Sequence, residues 1–210
     1  MISFNQYLDE LTKPKELDKF RKSVKGFNKV DTRKSGWKIT LDDMFSNYGF
    51  KRLGAGKYAS VYGHPKYPYV VKVFQKDAAF LRWVKFAQEN RKNPYVPKIR
   101  GRVTKINKMF FVLRMEKLTP YDWGSKLWTH KFMRDYDDWT HDKGTKSDDK
   151  NIQDILDCFA KNEKLLDIHG ENVMLRGKQL VIIDPFYNWF GKKAPGEYSI
   201  DPDEIDPSVF

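Results

Sequence analysis

The apolar positions change period along the 210-residue chain. In residues 3–30, Phe4, Leu8, Leu11, Leu17, Phe20 and Val24 recur at helical spacing around Pro14, which predicts one or two amphipathic helices. TLDDMFSNYG predicts a short helix with Thr40 as its N-cap. From Gly49 the runs shorten. GFKRLGAGKYASVYGHPKYPYVVKVF reads as three strands joined by glycine- and proline-marked turns. DAAFLRWVKFAQENR returns to helical spacing, with Phe80, Trp83, Val84 and Ala87 on one stripe, and KIRGRVTKI and KMFFVLRME read as two further strands. In the rear half, LTPYDWGSKLWTHKFMRDYDDWT predicts one irregular helical stretch, HDKGTKSDDK an exposed loop and NIQDILDCFAKNEKL a well-patterned helix. LLDIHGENVMLRGKQLVIIDPF follows, with two short apolar strands around Arg176-Gly177-Lys178 and Asp184 ending the second, before a tail rich in proline and acid.

Composition narrows the class. Aromatic residues make up 15% of the chain, enough for the core of one domain with a small appendage. The one cysteine, Cys158, excludes an intramolecular disulfide and suits a reducing compartment; on the apolar face of ILDCFA it reads as a buried thiol. No apolar run approaches the roughly 20 residues that span a bilayer, and MISFNQYLDE lacks a signal-peptide pattern. The expectation is a soluble intracellular protein with no membrane partner. The net charge of +11 is unevenly spread, with +14 on residues 51–118 and −6 on residues 119–210. Such a block implies an anionic partner (nucleotide phosphates, an acidic protein surface or nucleic acid) or simply a solvated basic face. With no zinc-finger, RNP-type or basic-zipper pattern beside it, nucleic acid is not favoured.

Three segments carry candidate chemistry. In LGAGKYASVY, Gly54 and Gly56 sit two apart between strands, where the lack of a Cβ lets a hairpin lie close over phosphates; a plain tight turn is the ordinary alternative. Returning into a strand, this hairpin is neither a dinucleotide fingerprint nor a P-loop. In YVVKVF, Lys72 interrupts an apolar strand and either edges to solvent or points inward at an anion. In the third segment, Asp167, His169, Glu171, Asn172 and Asp184 crowd beside two apolar runs, as turn formers, metal ligands or catalytic groups. No second histidine or cysteine stands at zinc spacing.

The order of these features, glycine hairpin, strand lysine, helix, two strands, helices, Asp-x4-Asn, then strand and Asp, resembles the protein-kinase motif set at LGAGKYASVY, VVK, LLDIHGEN and IIDPF. The resemblance covers roughly residues 48–190. GFKRLGAGKYASVYGHP, DIHGENVM, IIDP and YSIDPDE further resemble the early serine/threonine protein kinases of autographivirus-type, short-tailed bacteriophages. It implies an α+β, bilobal protein-kinase-like fold: a helical extension at 1–47, an N-lobe at 48–117 with a five-stranded antiparallel sheet, and a reduced helical C-lobe with an acidic tail at 118–210.

The same resemblance implies ATP and Mg2+ (or Mn2+) as cofactors. Asp167 would be the catalytic base, with Lys72 and His169 on the phosphates, and Asn172 and Asp184 the metal ligands. Gly54, Ala55, Gly56 and Val61 would cover the nucleotide, with Met115 as gatekeeper and Glu116 and Leu118 offering backbone groups to adenine. The implied role is phosphorylation of bacterial host proteins in the host cytoplasm, and of the kinase itself, to shut off or redirect host gene expression. Ser60 is a self-modification candidate by position.

Several positions depart from the family pattern. Leu165-Leu166 replace the His-Arg pair that precedes the catalytic Asp, which argues against switching by activation-loop phosphorylation. His169 stands where many such kinases carry lysine, introducing a group that titrates near neutrality. Ala59 replaces the third loop glycine, and Pro185-Phe186 follow the metal Asp and stiffen it. Glu89 is the candidate helix glutamate for Lys72. Only 26 residues follow Asp184, so substrate must be held by the 119–163 region, the basic front lobe or another subunit. Two other functions fit this reading: a catalytically weak kinase-fold module that binds and inhibits a host factor, and a transferase acting on small molecules or moving AMP.

Overall fold

A computed structural model describes residues 37–105, 110–121, 129–162 and 166–186. The helices expected in residues 3–30 and the proline-rich tail lie outside the described residues. The chain divides into two compact units: residues 37–76 and 99–117 belong to one, residues 77–98 and 118–186 to the other. The fold is mixed α+β, with four α-helices among the described residues. The segment 77–98, sequentially inside the expected front lobe, clusters with the second unit. No helix among the described residues is long and apolar enough to cross a membrane.

The first unit is a five-stranded antiparallel sheet in the order β1-β2-β3-β5-β4, with β1 Lys51–Ala55, β2 Ala59–Gly63, β3 Tyr69–Gln75, β4 Ile99–Lys105 and β5 Phe110–Glu116. The five strands fall where the alternating runs predict them. One face carries Tyr62, Val71, Val73, Phe110 and Val112, and helix α1 (Trp37–Ser46) packs Leu41, Met44 and Phe45 onto it. Each such side chain contributes about 1.5–3 kcal/mol of burial, so this i, i+3, i+4 stripe is what holds α1 in place. The rings of Phe45 and Tyr62 stack 4.1 Å apart. Asp42 accepts a 2.9 Å hydrogen bond from the Tyr62 hydroxyl and pairs with Arg52 at 2.8 Å. Helix α1 starts at Trp37, three residues before the expected cap at Thr40, because nothing between Gly36 and Thr40 opposes helical backbone. It ends at Ser46, and Gly49 in the turn that follows has a φ of 78°, which admits the bond from the Phe50 N–H to the Phe45 carbonyl.

The second unit contains α2 (Ala78–Glu89), β6 (Thr119–Pro120), α3 (Lys131–His141), α4 (Lys150–Ala160), β7 (Val173–Arg176) and β8 (Gln179–Ile182). Helix α2 is capped by Asp77, which accepts from the Phe80 N–H, and buries the expected stripe of Phe80, Trp83, Val84 and Ala87. Asp149 caps α4 through the Asn151 and Ile152 N–H groups, and α4 buries Ile152, Ile155, Leu156 and Phe159. Phe159 sits among the rings of Trp83, Phe132, Tyr136 and Phe186. The stretch after Leu118 is not helical throughout. Thr119 and Pro120 pair with Leu175 and Met174, and α3 begins only at Lys131. Cys158 is half-buried, and burial pushes its thiol up to about 11.

Candidate active site

The polar cluster of DIHGEN is ordered by a short 3-10 turn, Gly170–Asn172, leading straight into β7. The Asn172 N–H closes that turn on the His169 carbonyl at 2.9 Å. The hairpin turn Gly177-Lys178, with Gly177 at φ 62°, then sends β8 back alongside β7 in register, Val173 opposite Ile182. Strand β8 stops at Ile182, so Asp184 lies two residues beyond it and not on its last position. Two backbone bonds seize the segment around Asp184. The Asp167 N–H donates to the Pro185 carbonyl at 2.7 Å, and the Ile183 N–H donates to the Asn172 carbonyl at 2.9 Å. Leu166 and Phe186 extend the contact as an isolated antiparallel bridge. Phe186 is buried edge-on to Trp83 and Phe159, which anchors the far side of Pro185.

Asp167, Asn172 and Asp184 are thereby brought together, with His169 beside them. The Asn172 amide nitrogen donates to the Asp167 carbonyl at 2.7 Å, lies 3.5 Å from Asp167 Oδ2, and sits 3.0 Å from His169 Nε2. Nδ2 of Asn172 is engaged by these contacts, and among the described residues its Oδ1 accepts no hydrogen bond. His169 Nε2 also lies 3.5 Å from Asp167 Oδ2, and both side chains are about half-exposed, at 48% and 42%. A protonated His169 would therefore favour Asp167, and a neutral one with Nε2 free of hydrogen would accept from Asn172. Asp184 is half-buried, and Glu171 is exposed.

Among the described residues, no three His, Cys, Asp or Glu side chains converge as a metal site. A magnesium held jointly with phosphate oxygens and water needs only one or two protein carboxylates or amides. Asn172 Oδ1 and the Asp184 carboxylate fit that donor set: both are hard oxygen ligands, carried by segments tied together through the Ile183–Asn172 bond.

The other candidate residues, Leu118 apart, lie in the first unit. Gly54 stands opposite Val61, Val61 opposite Lys72, and Lys72 opposite Leu113, so Gly54, Val61 and Lys72 share one face of the sheet. Met115, opposite Val70, faces the same way. Lys72 is 7% exposed, a burial that costs an ammonium heavily unless charge or hydrogen bonds compensate it. It thus takes the inward alternative of the two open from sequence. The hairpin tip closes with the Gly56 N–H on the Ala59 carbonyl at 3.0 Å, and Lys38 of α1 donates to the Gly56 carbonyl. A Cβ at Gly54 or Gly56 would meet nothing within 4 Å, so the fold itself does not require glycine at either position. Such open space above two glycines is what a close approach of phosphate to backbone needs. Glu116 and Leu118 are half-buried, with Leu118 in the second unit.

One sequence-based reading changes. Ser60 is fully buried on the α1 side of the sheet, so it is not presented for modification. Glu89 is the last residue of α2 and exposed, in the second unit, whereas Lys72 belongs to the first. Arg176, read only as part of a turn, braces the site. Its guanidinium donates to the Pro94 and Val96 carbonyls at 2.9 Å each, and the Ile182 N–H donates to Tyr95. The sequence signal for that anchor is the Asn-Pro-Tyr-Val-Pro segment, in which Asn93 is buried and bonds the Asn151 carbonyl.

No protein-family model matches the chain, and no curated protein matches it in sequence. The chemistry of the site therefore carries the functional reading.

Proposed function

We propose that the protein is an ATP- and Mg2+-dependent protein kinase acting on serine or threonine, built on a reduced bilobal protein-kinase-like fold. The observation that carries this reading is the double backbone clasp, the Asp167 N–H on the Pro185 carbonyl and the Ile183 N–H on the Asn172 carbonyl, which holds a candidate base, Asp167, and a candidate ligand, Asn172, beside Asp184. That is the constellation phosphoryl transfer requires: one group to take a proton and a pair to hold a divalent cation on the phosphates. The open glycine hairpin and the buried Lys72 on a neighbouring strand add a phosphate-binding set.

In this mechanism the substrate hydroxyl oxygen attacks the γ-phosphorus, and the bond from that phosphorus to the β,γ-bridging oxygen breaks. The hydroxyl proton passes to the Asp167 carboxylate, whose half-exposure leaves room for a peptide hydroxyl to approach. Asn172 Oδ1 and the Asp184 carboxylate would hold the cation, and a bound cation would supply charge neutralisation to the phosphate oxygens. Within the first unit, the Lys72 ammonium would offset phosphate charge and the Gly54 to Gly56 backbone would cover the phosphates. His169, next to Asp167 and Asn172, would orient both and face the phosphates. Met115 and the Glu116 backbone in the first unit, and the Leu118 backbone in the second, would offer contacts to adenine. The substrate class drawn from the phage-kinase resemblance is host bacterial protein in the host cytoplasm.

The test is transfer of label from γ-labelled ATP by purified protein with Mg2+ to itself or to a bacterial lysate, abolished by Asp167→Ala. If Asp167→Ala and Asp184→Asn label nothing yet block bacterial growth as well as the wild type, a binding and inhibiting module is the correct function. Transfer from α-labelled ATP alone would make it an AMP transferase.

A further inference from the structure

We infer that Lys38, on α1, is a positioning residue for nucleotide: its ammonium sets the tip of the glycine hairpin so that the Lys57 N–H is presented to the phosphates of ATP. The inference rests on the phosphoryl-transfer reading and adds a residue that precedes the segment 48–190 covered by the kinase resemblance. Helix α1 and strand β1 run in opposite senses. Asp42 binds Arg52 and Tyr62, which face each other across β1 and β2. One helical turn earlier, Lys38 donates to the Gly56 carbonyl, four residues beyond Arg52. Lys38 and Asp42 thus stand on one side of α1, one at the tip of the hairpin and the other further down it. That turn of helix rises about 6 Å, whereas Arg52 to Gly56 covers about 13 Å of extended chain. The flexible four-carbon stem of lysine spans the difference. Leu41, Met44 and Phe45 hold α1 on the sheet, so the helix is a fixed platform for that reach.

The tip is otherwise lightly held. Strand β1 is at the edge of the sheet, paired with β2 alone, and all five of its residues are exposed. Gly56 follows it, with its N–H on the Ala59 carbonyl and its own carbonyl on Lys38. In a trans peptide the carbonyl and the N–H that follows it point in opposite directions. Drawing the Gly56 carbonyl toward Lys38 therefore turns the Lys57 N–H away from that ammonium. Helix α1 covers the face that carries Tyr62, Val71 and Val73, while Gly54, Val61 and Lys72 occupy the other. The Lys57 N–H is thus turned toward the proposed phosphate side, and among the described residues it donates no hydrogen bond. A backbone donor beside the open space above Gly54 and Gly56 suits an anionic oxygen.

The test is calorimetric binding of ATP and of AMP, with Mg2+, to the full chain as wild type, Lys38→Met and Lys38→Arg. Methionine keeps an unbranched stem and drops the donor; AMP lacks the outer phosphates. Lys38→Met should weaken ATP binding roughly tenfold, as for one hydrogen bond lost to a charged oxygen. Its AMP binding should match the wild type, and Lys38→Arg should recover most of the ATP affinity. In 15N-labelled protein, the Lys57 amide resonance should shift when ATP is added to the wild type and move less in Lys38→Met. Unchanged ATP affinity in a folded Lys38→Met, or equal weakening of ATP and AMP, would overturn the inference and leave the kinase reading standing. So would a Lys57 amide that ATP does not shift. A wild type that binds no ATP would overturn both.

Discussion

Replacing Gly54 by alanine separates a structural glycine from a phosphate-facing one. Gly54 sits in β1, avoids positive φ, and has nothing within 4 Å of the position a Cβ would take. A compatible Gly→Ala change restricts the unfolded chain and stabilises by about 0.5–1 kcal/mol. At this chain length that is a rise in Tm of about 1–4 °C. If the backbone lies over ATP phosphates, the same methyl pushes them away. Loss of one backbone bond to a charged oxygen, about 1.5–3 kcal/mol, is a rise of roughly tenfold or more in KM for ATP. Scanning fluorimetry gives the first quantity and coupled ADP release the second. A more stable variant with unchanged KM would refute the phosphate role of the hairpin. A Tm lowered by several degrees would refute the open space assigned to Gly54.

Asn172→Ala should lose its hydrogen bond to Asp167 and lower stability by about 1 kcal/mol in a urea titration. If Asn172 holds the cation as proposed, labelling should fall far more. Arg176→Ala removes two charged donors from the Pro94 and Val96 carbonyls and should cost about 3 kcal/mol; lysine, with a single ammonium, should restore only part of it. The Tyr62 phenol is raised by burial and then by Asp42, so the folded state favours its neutral form. That contribution is full below the unfolded pKa near 10 and is lost as pH rises above it. Chemical denaturation should therefore show stability falling above about pH 10, less steeply in Tyr62→Phe.

The five strands of the first unit and the stripe of α2 were legible because alternation and helical period are local properties. Elements whose stability comes from distant partners were not. Thr119 and Pro120 are a strand only because Leu175 and Met174 pair with them, and nothing near Leu118 announces that. The register of α1 was shifted for the opposite reason: a good cap residue at Thr40 outweighed, on paper, three residues with no objection to helix. In the site, spacing brought Asp167, Asn172 and Asp184 into one hypothesis, and the structure joins them. What joins them is peptide groups, Asp167 to Pro185 and Ile183 to Asn172, whose bonding is independent of side-chain identity. The anchor through Arg176 was hidden likewise, since its acceptors are backbone carbonyls some 80 residues away. Ser60 misled because a hydroxyl near a glycine turn reads as accessible, while its strand register turns it under α1.

The most direct test of the central claim is calorimetric binding of ATP to wild type and Asp184→Asn, each with Mg2+ and with a chelator. If Asn172 and Asp184 hold the cation on the phosphates, Mg2+ should tighten ATP binding to the wild type and not to the variant, and the two should match in the chelator. Equal affinities of the two proteins for ATP in Mg2+ would contradict it.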